Sequence, residues 1–205
     1  MLPASVSSNV YISALEPQSG KSIVSLGLME TLSRKVDRLG FFRPVISGGA
    51  APDSQIELLR GRYRLAARYE DMYAMTDAEA ARLLAAGDSA ELAKRVVQAY
   101  RALERDCDFV VIEGVDFPRE GQPASRDLDA ALAGHLDAAV LLVLNGARVA
   151  DAPASVRLAR EALVGKGCSL LGVIVNRVPP ARRDQVAASL ATGGEEEPVY
   201  VMPER

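Results

Sequence analysis

The sequence predicts a doubly wound α/β domain, a mostly parallel sheet flanked by helices on both faces, and three observations carry that prediction. Short β-rich apolar runs recur along the 205 residues, with helical patterns between them. Runs such as FVVIEG (109–114) and AAVLLVLNG (138–146) are apolar on both faces rather than alternating, as strands covered by helices on both sides require. A Gly-Lys-Ser triplet, Gly20 to Ser22, stands where the first apolar run gives way to the first helical pattern.

The strands are expected at Asn9–Leu15, Leu39–Ile46, Asp108–Glu113, Ala138–Leu144, Leu170–Asn176 and Pro198–Met202. The helices are expected at Lys21–Val36, Ser54–Tyr63, Asp77–Ala86, Ser89–Arg105, Ala152–Val164 and Ala181–Ala191, with 66–86 read as a helical insert. Helix ends carry their own signals. Thr76 precedes Asp77-Ala-Glu79, the pattern of a capping box in which hydroxyl and carboxylate each satisfy a first-turn amide. Asp151 and Pro153 open the helix after the fourth strand and Gly165 closes it. Glu195 to Glu197, after Gly193-Gly194, read as a solvated loop. With no repeat and no linker composition, residues 1–205 are expected to form one domain. The chain stops straight after its last strand pattern, which suggests an amino-terminal fragment of a longer protein.

Bulk composition narrows the function classes. The net charge is −3 and no Lys/Arg run occurs, so nucleic acid is not an expected partner. No stretch approaches the roughly 20 apolar residues that span a bilayer, and no secretion signal opens the chain, so a cytoplasmic protein without membrane contact is expected. Cys107 and Cys168 lie far apart without metal-ligand spacing and read as reduced thiols. His135, the single histidine, has no neighbours in sequence that would build a triad or a zinc site.

The chemistry concentrates in EPQSGKS (16–22). It approximates the phosphate-binding pattern G-x-x-x-x-G-K-[ST], with Leu15 where the first glycine belongs. A helix start offers unpaired amides and the positive end of its dipole to an anion. Gly20 permits close backbone approach, Lys21 meets β/γ oxygens, and Ser22 is placed to ligate Mg²⁺. Pro17 removes one donor and Glu16 adds a negative charge, and both weaken phosphate binding. Glu113, ending an apolar strand, is a candidate Mg²⁺ ligand, directly or through water; the alternative is an exposed strand-end carboxylate. Asn176 ends VIVNR (173–177), and its amide suits a purine edge, or else it forms a turn. Arg43, in FFRPVISGG (41–49), either clamps a carboxylate or phosphate or forms a structural ion pair.

The order EPQSGKS, FFRPVISGG, FVVIEG, AVLLVLNG, LLGVIVNR and PVYVMPE resembles the dethiobiotin-synthetase-like P-loop domain. More closely it resembles the version at the amino end of the long form of bacterial phosphate acetyltransferase, over essentially the whole chain, with VIEGVDF and GKSIVSLGL most specific. The resemblance implies phosphate-loop roles for Lys21 and Ser22, a metal-side role for Glu113 and an adenine contact for Asn176. Arg43 departs from it, since the synthetases carry a Lys-Pro there, and Val115 to Pro118 replace an EG-small-GG loop; both put dethiobiotin synthesis in doubt.

The function implied is therefore a regulatory and assembly domain of a phosphate acetyltransferase. It has no catalytic residue of its own, a degenerate nucleotide loop, and ATP or another nucleotide with Mg²⁺ as the effector to be tested. Its implied partners are the acetyltransferase domain of the parent chain, further copies in a homo-oligomer, and a small-molecule or nucleotide effector. The alternative is a free-standing Mg-ATP-dependent carboxylate-activating ligase of the dethiobiotin or cobyrinate type. A partition- or GTPase-like switch needs a second acid or a catalytic Gln that the sequence does not identify. On the first reading the chain hydrolyses no ATP and Lys21→Ala leaves the fold intact.

Overall fold

A computed structural model describes residues 9–14, 18–115, 124–147, 152–191 and 198–204. Seven strands form one sheet among these residues: β1 (Asn9–Ala14), β2 (Leu39–Ile46), β3 (Tyr73–Thr76), β4 (Phe109–Glu113), β5 (Ala139–Asn145), β6 (Leu170–Val178) and β7 (Val199–Pro203). Their order is β3-β2-β4-β1-β5-β6-β7, and every pairing is parallel. Parallel pairing brings all the carboxyl ends to one edge. Because β1 leads away to β2 on one side while its other neighbour is β5, the chain reverses direction beside β1, the crevice where open α/β sheets take ligands.

The helices are α1 (Lys21–Leu32), α2 (Ser54–Tyr63), α3 (Asp77–Ala85), α4 (Ser89–Glu104), α5 (Ala124–His135), α6 (Ala152–Val164) and α7 (Arg183–Ala191). Alternate strand residues choose between them. Val10, Ile12, Phe41 and Val111 pack with Val24 and Met29 of α1 and Ile56 and Leu59 of α2. On the opposite face, Tyr11, Phe42, Val110 and Ile112 meet α3, α4 and α5 through Ala80, Val96, Tyr100 and Leu132. Leu142 and Leu144 extend that face to Val156 of α6 and Val186 of α7. Enclosed side chains of this size contribute about 1.5–3 kcal/mol each. Phe42 meets Tyr100 edge-on, centroids 5.7 Å apart, and the Tyr100 hydroxyl accepts from Asn9 Nδ2 at 2.8 Å, so the polar tip is satisfied.

The six expected strands and six expected helices are all present, with ends displaced by a few residues. The capping box also forms, since the Thr76 hydroxyl accepts from the Glu79 amide while Glu79 bonds back to the Thr76 amide. Three features correct the sequence reading. The 66–86 segment is not a helical insert: it holds a 3₁₀ turn at Tyr69–Asp71 and the edge strand β3 before α3 begins. Four residues of strand carry too little pattern to register. Helix α5 was not expected, because its buried stripe rests partly on Ala130 and Ala133, whose hydropathy signal is weak. Helix α1 stops at Leu32 rather than Val36, and Lys35 and Val36 donate to the Leu32 carbonyl in a turn. The expectations for Leu15 to Pro17, Asp116 to Pro118, Asp151 and Gly193 to Glu197 lie outside the described residues. His135 is exposed at the end of α5, and both cysteines are free thiols.

On the surface of α1, Glu30 accepts from Arg34, from Arg62 of α2 and from the Tyr63 hydroxyl, at 2.8, 2.9 and 3.1 Å. The Arg34 hydrogen bond, then those of Arg62 and Tyr63, hold its carboxyl down to about 2. A depressed folded value means the tie between α1 and α2 is complete above the ordinary carboxylate pKa and is lost as pH falls toward about 2. Carboxyl ¹³C titration of Glu30 is expected to give a midpoint near 2, rising in Arg62→Ala; a wild-type midpoint above about 4 contradicts the tie.

Candidate phosphate-loop site

Residues 18–20 turn the chain from the β1 edge into α1. Gln18 and Gly20 both take positive φ, 58° and 94°, and Gly20 is the N-cap of α1. Among the described residues no side chain caps this helix start, which suits it to an anion. Gly20 is required for two reasons. A left-handed φ disfavours any Cβ, and a Cβ here would lie 2.2 Å from Asn176 Nδ2. Asn176 in β6 reaches across to donate to the Ser19 carbonyl at 2.9 Å, and its Oδ1 accepts from the Arg177 amide at 2.9 Å. Both ends of the amide are thus engaged by the protein, and the side chain buttresses the loop.

Lys21 is buried, 4% exposed, and its ammonium donates to the carbonyls of Gly114 and Val115, each at 2.9 Å. Those carbonyls follow directly on β4. They are themselves fixed by Asp129 of α5, whose Oδ1 accepts from the Val115 amide at 2.9 Å and from the Tyr11 hydroxyl at 2.7 Å, while Oδ2 accepts from Ser13 at 2.8 Å. Gly114 has no room for a side chain, because a Cβ would stand 2.6 Å from the Tyr11 ring and 2.9 Å from both Asp129 oxygens. Complete burial pushes the Asp129 carboxyl above its usual range, opposed by the nearby Lys21 ammonium and then by its hydrogen bonds from Tyr11, Val115 and Ser13. The sequence reading missed Asp129 because it missed α5. It also left Lys21 without a structural role, whereas the geometry makes this lysine a tie between helix and sheet.

Glu113 is fully buried at the end of β4, not an exposed strand-end carboxylate. Its Oε1 accepts from Ser22 at 3.2 Å and its Oε2 from Ser25 at 2.5 Å. Ser25 is one helical turn beyond Ser22, so the i, i+3 spacing on α1 was the available signal for it. Arg43 in β2 pairs with Asp53 and lies 3.6 Å from Glu113 through Nη2. Asp53 is the N-cap of α2, accepting from the amides of Gln55 and Ile56 at 3.1 and 3.0 Å, a role readable from its place just before a predicted helix. Gln55 Nε2 closes the ring by donating to the Ser22 carbonyl at 3.1 Å.

All six residues singled out in the sequence, Gly20, Lys21, Ser22, Arg43, Glu113 and Asn176, therefore lie in one contact network at the carboxyl edge of the sheet. Among the described residues, no group of three or more His, Cys, Asp or Glu is placed to hold a metal, and no helix is long and apolar enough to cross a membrane. Gly20→Ala is expected to cost about 2–3 kcal/mol in urea unfolding. In the Asn176→Ala background the same change should cost clearly less, since only the φ strain remains; equal costs in both backgrounds contradict the Gly20–Asn176 contact.

Residues 8–199 match the family model described as AAA domain. The chain is 35% identical to the phosphate acetyltransferase of Nitratidesulfovibrio vulgaris over 97% of its own length, and 31% identical to that of Synechocystis sp. over 90%. It is 29% identical to that of Escherichia coli over 78%. It spans 30%, 27% and 22% of the lengths of these relatives. A solved structure of the Paramecium bursaria Chlorella virus arginine decarboxylase aligns over 94% of this chain and 64% of its own, but a TM-score of 0.35 at 9% identity carries no argument. The parallel sheet, the Gly20-Lys21-Ser22 turn into α1 and the match over 8–199 agree: the chain belongs to the AAA domain family, with an α/β fold of the P-loop NTPase kind.

Proposed function

We propose that this chain is the regulatory and assembly domain of a phosphate acetyltransferase, a parent enzyme that interconverts acetyl-CoA and phosphate with acetyl phosphate and CoA. Its similarity to enzymes of that name supports the parent. One observation carries the non-catalytic part of the reading. The ammonium that a phosphoryl-transfer site aims at β/γ oxygens is satisfied by two main-chain carbonyls, and the acid at the end of β4 is engaged by two serines beside an arginine.

A phosphate at the helix start must draw Lys21 away from Gly114 and Val115. That exchange weakens binding and moves the segment after β4, so occupancy is reported to the rest of the domain. The loop thus acts as a sensor of a nucleotide phosphate, with Gly20, Lys21 and Ser22 as its contacts and Asn176 holding its shape. The parent's acetyltransferase domain and further copies of the chain, in a homo-oligomer in the cytoplasm, are the partners on which that change acts.

Calorimetric titration of the 205-residue chain with ADP is expected to give a Kd tighter than about 1 mM, with no ATP hydrolysis and no acetyl transfer from acetyl-CoA to phosphate. Failure of ADP and ATP to bind at that level removes the sensor. Turnover of ATP with a carboxylate substrate, lost in Lys21→Ala, overturns the non-catalytic reading.

A further inference from the structure

In a P-loop site a divalent cation accompanies the phosphates, held by the loop hydroxyl and by acids on neighbouring elements. The oxygens are here: Ser22, Glu113 and, opposite them, Asp53. The positive charge among them belongs to the protein. Arg43 lies against Asp53 through Nη1 and 3.6 Å from Glu113 Oε1 through Nη2, so one guanidinium faces two carboxylates. The setting is dry, with side-chain exposures of 12% for Arg43, 7% for Asp53 and 0% for Glu113.

Both carboxylates also accept hydrogen bonds from the protein. Glu113 takes the Ser22 and Ser25 hydroxyls, and Asp53 Oδ1 takes the Gln55 and Ile56 amides. A divalent ion ligated by Glu113 Oε1 would stand a few ångströms from the guanidinium, where like charges repel far more strongly than in water. It would also have to compete with these donors for the carboxylate. The residues present therefore do not fit Mg²⁺ while Arg43 holds this position. Arginine is suited to the place because its planar fork presents two nitrogens in fixed geometry, which a lysine ammonium cannot.

We propose that Arg43 is the built-in cation of this site, bridging Asp53 and Glu113 where a P-loop protein carries its metal, and that the loop receives phosphate without a divalent ion. The phosphate half rests on the nucleotide-sensor reading, and the metal half rests on the Arg43 geometry alone.

The test titrates Mn²⁺ into the 205-residue chain and reads the paramagnetic resonance of the free ion. The wild type should show no site tighter than about 1 mM. Arg43→Met should gain one at least about tenfold tighter, and Arg43→Met/Glu113→Gln should lose it again. A wild-type Mn²⁺ site that Glu113→Gln abolishes overturns the proposal, as does a folded Arg43→Met chain that gains none. A second arm uses the wild type alone, in case Arg43→Met does not fold. ADP titrated in EDTA and in Mg²⁺ should give Kd values within about twofold of each other, and tightening by Mg²⁺ of about tenfold or more overturns the proposal. Absence of ADP binding in both buffers sinks the sensor reading, and the Mn²⁺ result on the wild type still decides the role of Arg43.

Discussion

The bond between the Lys21 ammonium and the carbonyls of Gly114 and Val115 is the constraint on which the rest of the site depends. It joins the first residue of α1 to the chain leaving β4, two segments that meet only because the sheet places β4 beside β1. Around it each neighbour has a defined task. Asp129 fixes the Val115 amide, Tyr11 and Ser13 hold Asp129, and Gly114 leaves space for the Tyr11 ring and the Asp129 carboxylate. A buried ammonium is tolerated only where oxygen atoms replace its water, and two carbonyls beside a buried carboxyl supply that environment.

A second charge system lies beside the first. Arg43, Asp53 and Glu113 bind β2, the start of α2 and the end of β4 into one unit, which Ser22 and Ser25 attach to α1. In both systems groups typical of nucleotide chemistry are satisfied from within the protein. On the proposed reading, a phosphate displaces these internal bonds to enter. The sensor reading proposed above rests on this arrangement, since a catalyst's charges have to be aimed at the reacting phosphoryl group.

Much of this was legible in the residues. Uniformly apolar runs marked the buried parallel strands, and the Gly-Lys-Ser triplet at the first junction marked the turn, because local patterning and loop chemistry are short-range properties. Glu113 and Asn176 could be picked out because strand ends at one edge of a parallel sheet converge. What could not be read was partnership. Nothing local to Arg43 distinguishes a ligand clamp from an ion pair, since Asp53 and Glu113 reach it only through the β2–β4 pairing and the position of α2. Asp129 was invisible for a different reason: its helix buries alanines as well as leucines, and its contacts lie 14 to 118 positions away in sequence.

The most direct measurement is the unfolding free energy of Lys21→Met against wild type in urea, without ligand. If Lys21 is the tie described, removing its charge strands the carbonyls of Gly114 and Val115 and leaves the Asp129 carboxyl without its nearby cation. The loss should then be about 3 kcal/mol, against the sequence-based expectation of an unaffected fold. A difference below about 0.5 kcal/mol, typical of an exposed side chain, would show that Lys21 carries no structural load and that its place between helix and sheet is not what organises this site.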